Sequence, residues 1–189
     1  MLVQNHLAKI SINQYRDLFS FPVKNYYEKL GFDFEHESFE KAGNEFINEY
    51  KKHRYEAQLF PKTELLLKIL TEKGITNSIL SAQHQILLND LTCHYNIDKY
   101  FLNIVGLDNH YAHSKVNNGI ELIKKIDIDI NKILMVGDTD HDFEVSQALG
   151  IDCILISHGH NSILRLKQTN AHIVDNLSKL AYFLEIDFL

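Results

Sequence analysis

Cysteine is scarce in this sequence: two among 189 residues, Cys93 and Cys153. No Cys-x-x-Cys spacing occurs, and Cys153 lies inside the apolar run Cys153-Ile154-Leu155-Ile156, the setting of a packed thiol. A disulfide framework is thereby excluded and a reducing compartment is expected. Basic charge is scarce as well, with 19 Lys and Arg against 25 Asp and Glu and a net charge of −6. A general nucleic-acid binder shows a basic face, whereas these cations are scattered, and the short run Lys51-Lys52-His53-Arg54 reads as a solvated helix face. No apolar run approaches membrane-spanning length. The start Met1-Leu2-Val3-Gln4-Asn5-His6 lacks the basic-then-apolar pattern of a secretion signal. Internal repeats and low-complexity stretches are missing too. What remains is a soluble, cytoplasmic globular protein, with 45% apolar residues to build its core.

The pattern changes character near Pro61. Residues 1–60 show helical periodicity and no convincing strand. Ser11-Ile12-Asn13-Gln14 has the form of a capping box. A second helix is expected over Pro22 to Leu30, closed by Gly31, and a third over Ser38 to His53 with Phe39, Ala42, Phe46, Ile47 and Tyr50 on one face. The aromatic residues Tyr15, Phe19, Phe21, Tyr26, Tyr27, Phe32 and Phe34 are mostly core for such a small helical unit. Residues 61–189 alternate instead. Helices are expected at 62–73, 84–95, Ser114 to Lys125, 140–149, 161–168 and from Leu177. Strands are expected at 77–81, 101–105, 132–136, 152–156 and 171–174. Alternation of this kind implies right-handed βαβ units and a mostly parallel sheet with helices on both faces. Its chemistry should collect at the carboxyl ends of the strands.

Three such ends carry polar residues. In Ser78-Ile79-Leu80-Ser81-Ala82-Gln83 the Ser81 hydroxyl either caps the next helix or, with the amides that follow, holds phosphate oxygens. Lys115 follows Ser114 at a helix N-terminus, where the positive dipole end disfavours a cation. Either it is a solvated lysine or a phosphate or carboxylate offsets the cost. The third end is Ile133-Leu134-Met135-Val136-Gly137-Asp138-Thr139-Asp140-His141-Asp142, an apolar strand, a Gly turn and three acids. Helix capping accounts for one or two of them, and oxygen ligation of Mg²⁺ accounts for all three. The histidine pairs His110-Tyr111-Ala112-His113 and His158-Gly159-His160 lack the further ligands of a transition-metal site and read as loop residues.

Taken in order, Ser81, Lys115 and Gly137-Asp138-Thr139-Asp140-His141-Asp142 resemble the second, third and fourth motifs of the haloacid dehalogenase superfamily. Ile156-Ser157-His158-Gly159-His160-Asn161 resembles the loop that follows in phosphoglycolate phosphatase-like members. Residues 1–60 resemble the small helical cap of those members, and 61–189 their Rossmann-like core. The resemblance implies a Mg²⁺-dependent phosphomonoesterase working through an aspartyl-phosphate on a small phosphorylated metabolite. In it Ser81 would bond the transferring phosphoryl group, and Lys115 would neutralise charge on the nucleophile and phosphoryl oxygens. Asp138 would ligate the metal and Asp142 would support it. Phosphoryl transfer depends chiefly on such positioning and charge stabilisation.

One motif has no counterpart. The family's first, an apolar strand ending in Asp-x-Asp-x-Thr, should precede the cap, yet Asp17 lies in a helical pattern and Asp33 follows no strand. That strand is also the family's central one, so the sheet is expected to have a gap. A start codon assigned too late, a trimmed chain and a non-catalytic relic are three explanations. The relic would be a metal- or phosphate-binding regulatory domain without turnover. Uncovered strand edges predict low stability or self-association.

Overall fold

The computed structural model describes residues 1–107 and 114–187. The chain divides into two compact units, Met1–Gln58 and Leu59–Leu189. No helix among the described residues is long and apolar enough to cross a membrane.

The first unit holds α1 (Ile12–Leu18), α2 (Val23–Lys29) and α3 (Phe39–His53). The expected capping box starts α1: Ser11 Oγ accepts from the Gln14 amide at 3.2 Å, and Gln14 Oε1 accepts from the Ser11 amide at 2.8 Å. Gly31, at φ +102°, turns the chain out of α2. With only three helices, burial must come from large side chains, and Tyr26, Tyr27, Phe32 and Ala42 form the core. Tyr15, Phe19, Phe34 and Phe39 pack around them, with ring centroids such as Tyr27–Phe32 at 5.4 Å and Phe34–Phe39 at 5.3 Å. These rings are the interior of the unit.

The second unit runs α4 (Thr63–Glu72), β1 (Asn77–His84), α5 (Gln85–His94), β2 (Phe101–Leu107), α6 (Ser114–Ile126) and β3 (Leu134–Gly137). It continues with α7 (Asp140–Leu149), β4 (Asp152–Ile156), α8 (Ile163–Leu166), β5 (His172–Val174) and α9 (Leu177–Phe183). It is a Rossmann-like α/β arrangement, and side-chain alternation along the strands separates two helical layers. Leu134, Ile154, Ile156 and Val174 pack with α4 and α9 through Leu66, Leu180 and Ala181. Met135 and Leu80 pack instead with α6 and α7 through Val116, Ile123, Val145 and Leu149. Gly119 lets α6 approach closely, since a Cβ there would stand 2.8 Å from Leu149 and 3.1 Å from Leu80.

The strands form two parallel sheets, β1-β2 and β3-β4-β5. The interruption between β1 and β3 is the gap expected from the resemblance. Helices tie the two sheets together, because Leu80 of β1 and Met135 of β3 share one apolar cluster. The burial pattern follows from the interruption. Ile154 and Leu155 of β4, paired on both sides, are 2% and 0% exposed. None of the eight β1 residues is fully buried, and Val136 of β3 is 43% exposed. Strands in the middle of a covered parallel sheet are normally buried on both faces.

Among the boundaries that differ from the sequence reading, two bear on the site. The first strand does not stop at Ser81 but runs on to His84 through an irregular stretch between the pairs Leu80↔Val105 and His84↔Leu107. The extra residues arch over Gly106, where a Cβ would meet Gln83 O at 2.6 Å. Gln85 replaces the missing ladder bonds: its Oε1 accepts from the Gly106 amide at 2.7 Å and its Nε2 donates to Ile104 O at 3.1 Å. The helix expected at 161–168 shortens to Ile163–Leu166, because Ser162 caps it by accepting from the Arg165 amide.

Candidate active site at the carboxyl ends of β1 and β3

The turn after β3 is shaped by two small residues. A Cβ on Gly137 would lie 2.3 Å from Asp142 Cβ, so only glycine lets that side chain fold back under the turn. Thr139 then caps α7 in a second capping box: its Oγ1 accepts from the Asp142 amide at 3.1 Å. Asp142 Oδ2 accepts in return from the amides of Asp138 and Thr139, both at 3.0 Å, and from Thr139 Oγ1 at 2.7 Å.

The other oxygen of Asp142 reaches α6. Lys115 Nζ donates to Asp142 Oδ1 at 2.5 Å, and the two residues are 6% and 7% exposed. The cost of a cation at a helix N-terminus is therefore offset by a buried carboxylate. Burial pushes the Asp142 carboxyl up. The Lys115 charge and hydrogen bond, with the bonds from Thr139 and the Asp138 amide, more than offset it, and the carboxyl is held below its ordinary 3.8.

Asp138 and Asp140 are engaged elsewhere. Asp138 Oδ2 accepts from the His160 amide at 2.7 Å. Asp140 forms an ion pair with Arg165 of α8, and its amide donates to Asn161 Oδ1 at 2.8 Å. The three acids thus have three different partners and do not converge. Among the described residues, the one set of three candidate ligand atoms within 4.8 Å of one another is Asp33, Glu35 and His36, exposed in the helical unit. Lys115, Arg165 and backbone amides offset the repulsion among the carboxylates at 138, 140 and 142. Both Asp142 oxygens are committed to protein donors. Among the described residues Asp138 Oδ1 meets no hydrogen-bond donor, and an ion that keeps several waters and takes one or two carboxylates fits such an oxygen.

Ser81 lies in the irregular stretch of β1, half-buried, and its Oγ accepts from the Gln83 amide at 3.1 Å. That bond uses a lone pair and leaves the hydroxyl proton to donate elsewhere. Its neighbour Leu80, Val116 beside Lys115, and Met135 of the strand leading to Asp138 belong to one apolar cluster. A common packing unit therefore anchors the backbone next to all three polar positions. His110, His113 and the side chain of Ser114 lie outside the described residues. His158 packs near Phe60, ring centroids 6.3 Å apart. The acidic spacings Asp33-Phe34-Glu35 and Asp127-Ile128-Asp129 lie in an exposed turn and in the loop entering β3, and neither ends a strand.

Sequence reasoning missed Asn161, Arg165 and Gln85. Asn161 is fully buried and Arg165 sits on a four-residue helix. Their partners in the turn after β3 and in β2 are 19 to 25 residues away, so no local spacing reveals them.

The model of the haloacid dehalogenase-like hydrolases matches residues 1–156. A phosphoglycolate phosphatase of Pseudomonas savastanoi pv. phaseolicola is 23% identical over 138 residues, covering 71% of this chain and 50% of that protein. The chain therefore spans about half the length of this relative. A 5'-nucleotidase of Pseudomonas aeruginosa is 26% identical over 153 residues, covering 75% of this chain and 67% of its own. Among solved structures, Protein Tyrosine Kinase A of Mycobacterium tuberculosis superposes with a TM-score of 0.81 at 19% identity, covering 98% of this chain and 87% of that one. That likeness concerns the fold, which hosts more than one chemistry. With the family model matched across most of its length, the chain belongs to the haloacid dehalogenase-like hydrolases.

Proposed function

We propose that this chain supplies the helical cap and most of the core of a Mg²⁺-dependent phosphomonoesterase acting on a small phosphorylated metabolite. The observation that carries the reading is the burial of Lys115 against Asp142, whose second oxygen holds the Asp138 turn. One ion pair thus fixes an ammonium and a metal-competent carboxylate relative to each other. In this reading Lys115 neutralises developing charge on phosphoryl oxygens, Ser81 donates its hydroxyl proton to one of them, and Asp138 holds the cation through Oδ1. The cation supplies charge neutralisation on the phosphoryl group when bound. Removing one such contact typically costs about 10²–10³ in rate.

The sequence contains no Asp-x-Asp-x-Thr, so these 189 residues supply no nucleophile of that form. This favours a second reading, a phosphate- or metal-binding regulatory domain without turnover. Phosphate release from a panel of small phosphomonoesters, by the native-length gene product with Mg²⁺ and with chelator, separates the two. Mg²⁺-dependent release that falls in Ser81→Ala supports the phosphatase. Binding of phosphate or Mg²⁺ with no release on any substrate supports the regulatory domain.

A further inference from the structure

The Asp138 carboxylate is gripped from outside its own turn, by the loop between β4 and α8. A Cβ on Gly159 would lie 1.9 Å from Asp138 Oδ2 and 2.3 Å from its Cβ and Cγ, so the loop backbone rests directly on this side chain. The His160 amide donates to Oδ2 at 2.7 Å, and the Asn161 amide approaches Asp138 O at 3.4 Å. The loop is itself fastened at both ends. The Ser157 amide donates to Val174 O of β5 at 3.0 Å. At the other end Asn161, 0% exposed, accepts the Asp140 amide proton, and Arg165 pairs with the Asp140 carboxylate.

We propose that Gly159, the His160 backbone amide and Asn161 are positioning residues that hold one Asp138 oxygen on the protein and present the other, Oδ1, to a divalent cation. The inference rests on the metal reading above and deepens it: cation affinity is decided in the β4–α8 loop. A carboxylate with both oxygens free must be ordered when it binds, whereas one already fixed by an N–H and by backbone contact is in place. Mg²⁺ and Mn²⁺ demand defined ligand geometry, so a small reorientation is felt. Changing such an orienting partner typically costs about 10- to 100-fold in metal affinity. The grip on Oδ2 runs through the His160 amide.

Mn²⁺ titration of the 189-residue chain, followed by the electron paramagnetic resonance signal of free Mn²⁺, tests the proposal alongside melting of each variant. Asp138→Asn abolishes binding, Gly159→Ala weakens it about 10- to 100-fold, and His160→Ala leaves it unchanged. Should Gly159→Ala fail to fold, Asn161→Ser, which removes the acceptor of the Asp140 amide, is read in its place with the same expectation. Wild-type affinity in both loop variants, with Asp138→Asn still inactive in binding, overturns the grip and leaves the metal reading standing. Wild-type affinity in Asp138→Asn overturns both. A loss in His160→Ala as large as in Gly159→Ala overturns the assignment to the backbone amide.

Discussion

Lys115 Nζ lies 2.5 Å from Asp142 Oδ1, and this buried pair joins the start of α6 to the first turn of α7. Through Asp142 Oδ2 the same contact reaches the amides of Asp138 and Thr139. Position and charge at the end of β3 therefore depend on one carboxylate with four donors. Its location explains why Gly137 precedes the acids and why Thr139 caps the helix.

Removing one partner of this pair leaves a buried charge uncompensated. Lys115→Ala and Asp142→Asn are each expected to destabilise the fold by about 3–5 kcal/mol. Replacing both, as Lys115→Met with Asp142→Leu, should cost clearly less than the sum of the single changes, because no lone charge remains. Urea unfolding of the four species measures the coupling. Strictly additive losses would show that the pair does not act as a unit.

Acid should weaken the fold through the same residue. The Asp142 carboxyl sits below its ordinary 3.8 in the folded protein, so the folded state favours the ionised form. Its contribution is fully present above the unfolded value and is lost as pH falls through the depressed folded one. Melting temperatures from pH 6 down to pH 2 should drop more steeply below about pH 4 in the wild type than in the Lys115→Met, Asp142→Leu double variant. Parallel curves would remove Asp142 as the source.

Gly137→Ala tests the turn itself. The added methyl would overlap Asp142 Cβ at 2.3 Å, so the helix start or the turn must shift. A loss of about 1–3 kcal/mol is expected, with accessibility of the Lys115 amine to acylating reagents rising in step. An unperturbed melt would contradict the close approach.

Much of this was legible in the sequence. The alternating strands and helices and the capping box at Ser11 follow from periodicity and local chemistry, which short segments carry by themselves. The interruption of the sheet was also legible, because a strand with no counterpart in the sequence cannot pair. What could not be read is the partnering of the acids. Three carboxylates within five residues suggest one cation, yet each finds a separate partner supplied by α6, α8 or the loop between them and the strands. Such pairings span 20 to 30 residues and depend on tertiary placement. The extension of β1 past Ser81 was hidden for the same reason, since Gly106 and Gln85 make it across the sheet.

The edges of β1 and β3 at the interruption carry unpaired backbone groups, and such edges invite pairing with another chain. Sedimentation of the 189-residue chain should show concentration-dependent association, and its melt should be low or broad. Val136→Lys places a charge on the exposed edge strand and should shift the distribution toward monomer. A clean wild-type monomer with a cooperative, high-temperature melt would contradict this.

The most direct test of the account is phosphate release by the native-length gene product in Mg²⁺, wild type against Asp138→Ala, with melting of both recorded to confirm folding. In the proposed reading Asp138 holds the cation, so the variant should lose about 10²–10³ or more in rate while remaining folded. Full activity in Asp138→Ala would contradict the assignment of this site.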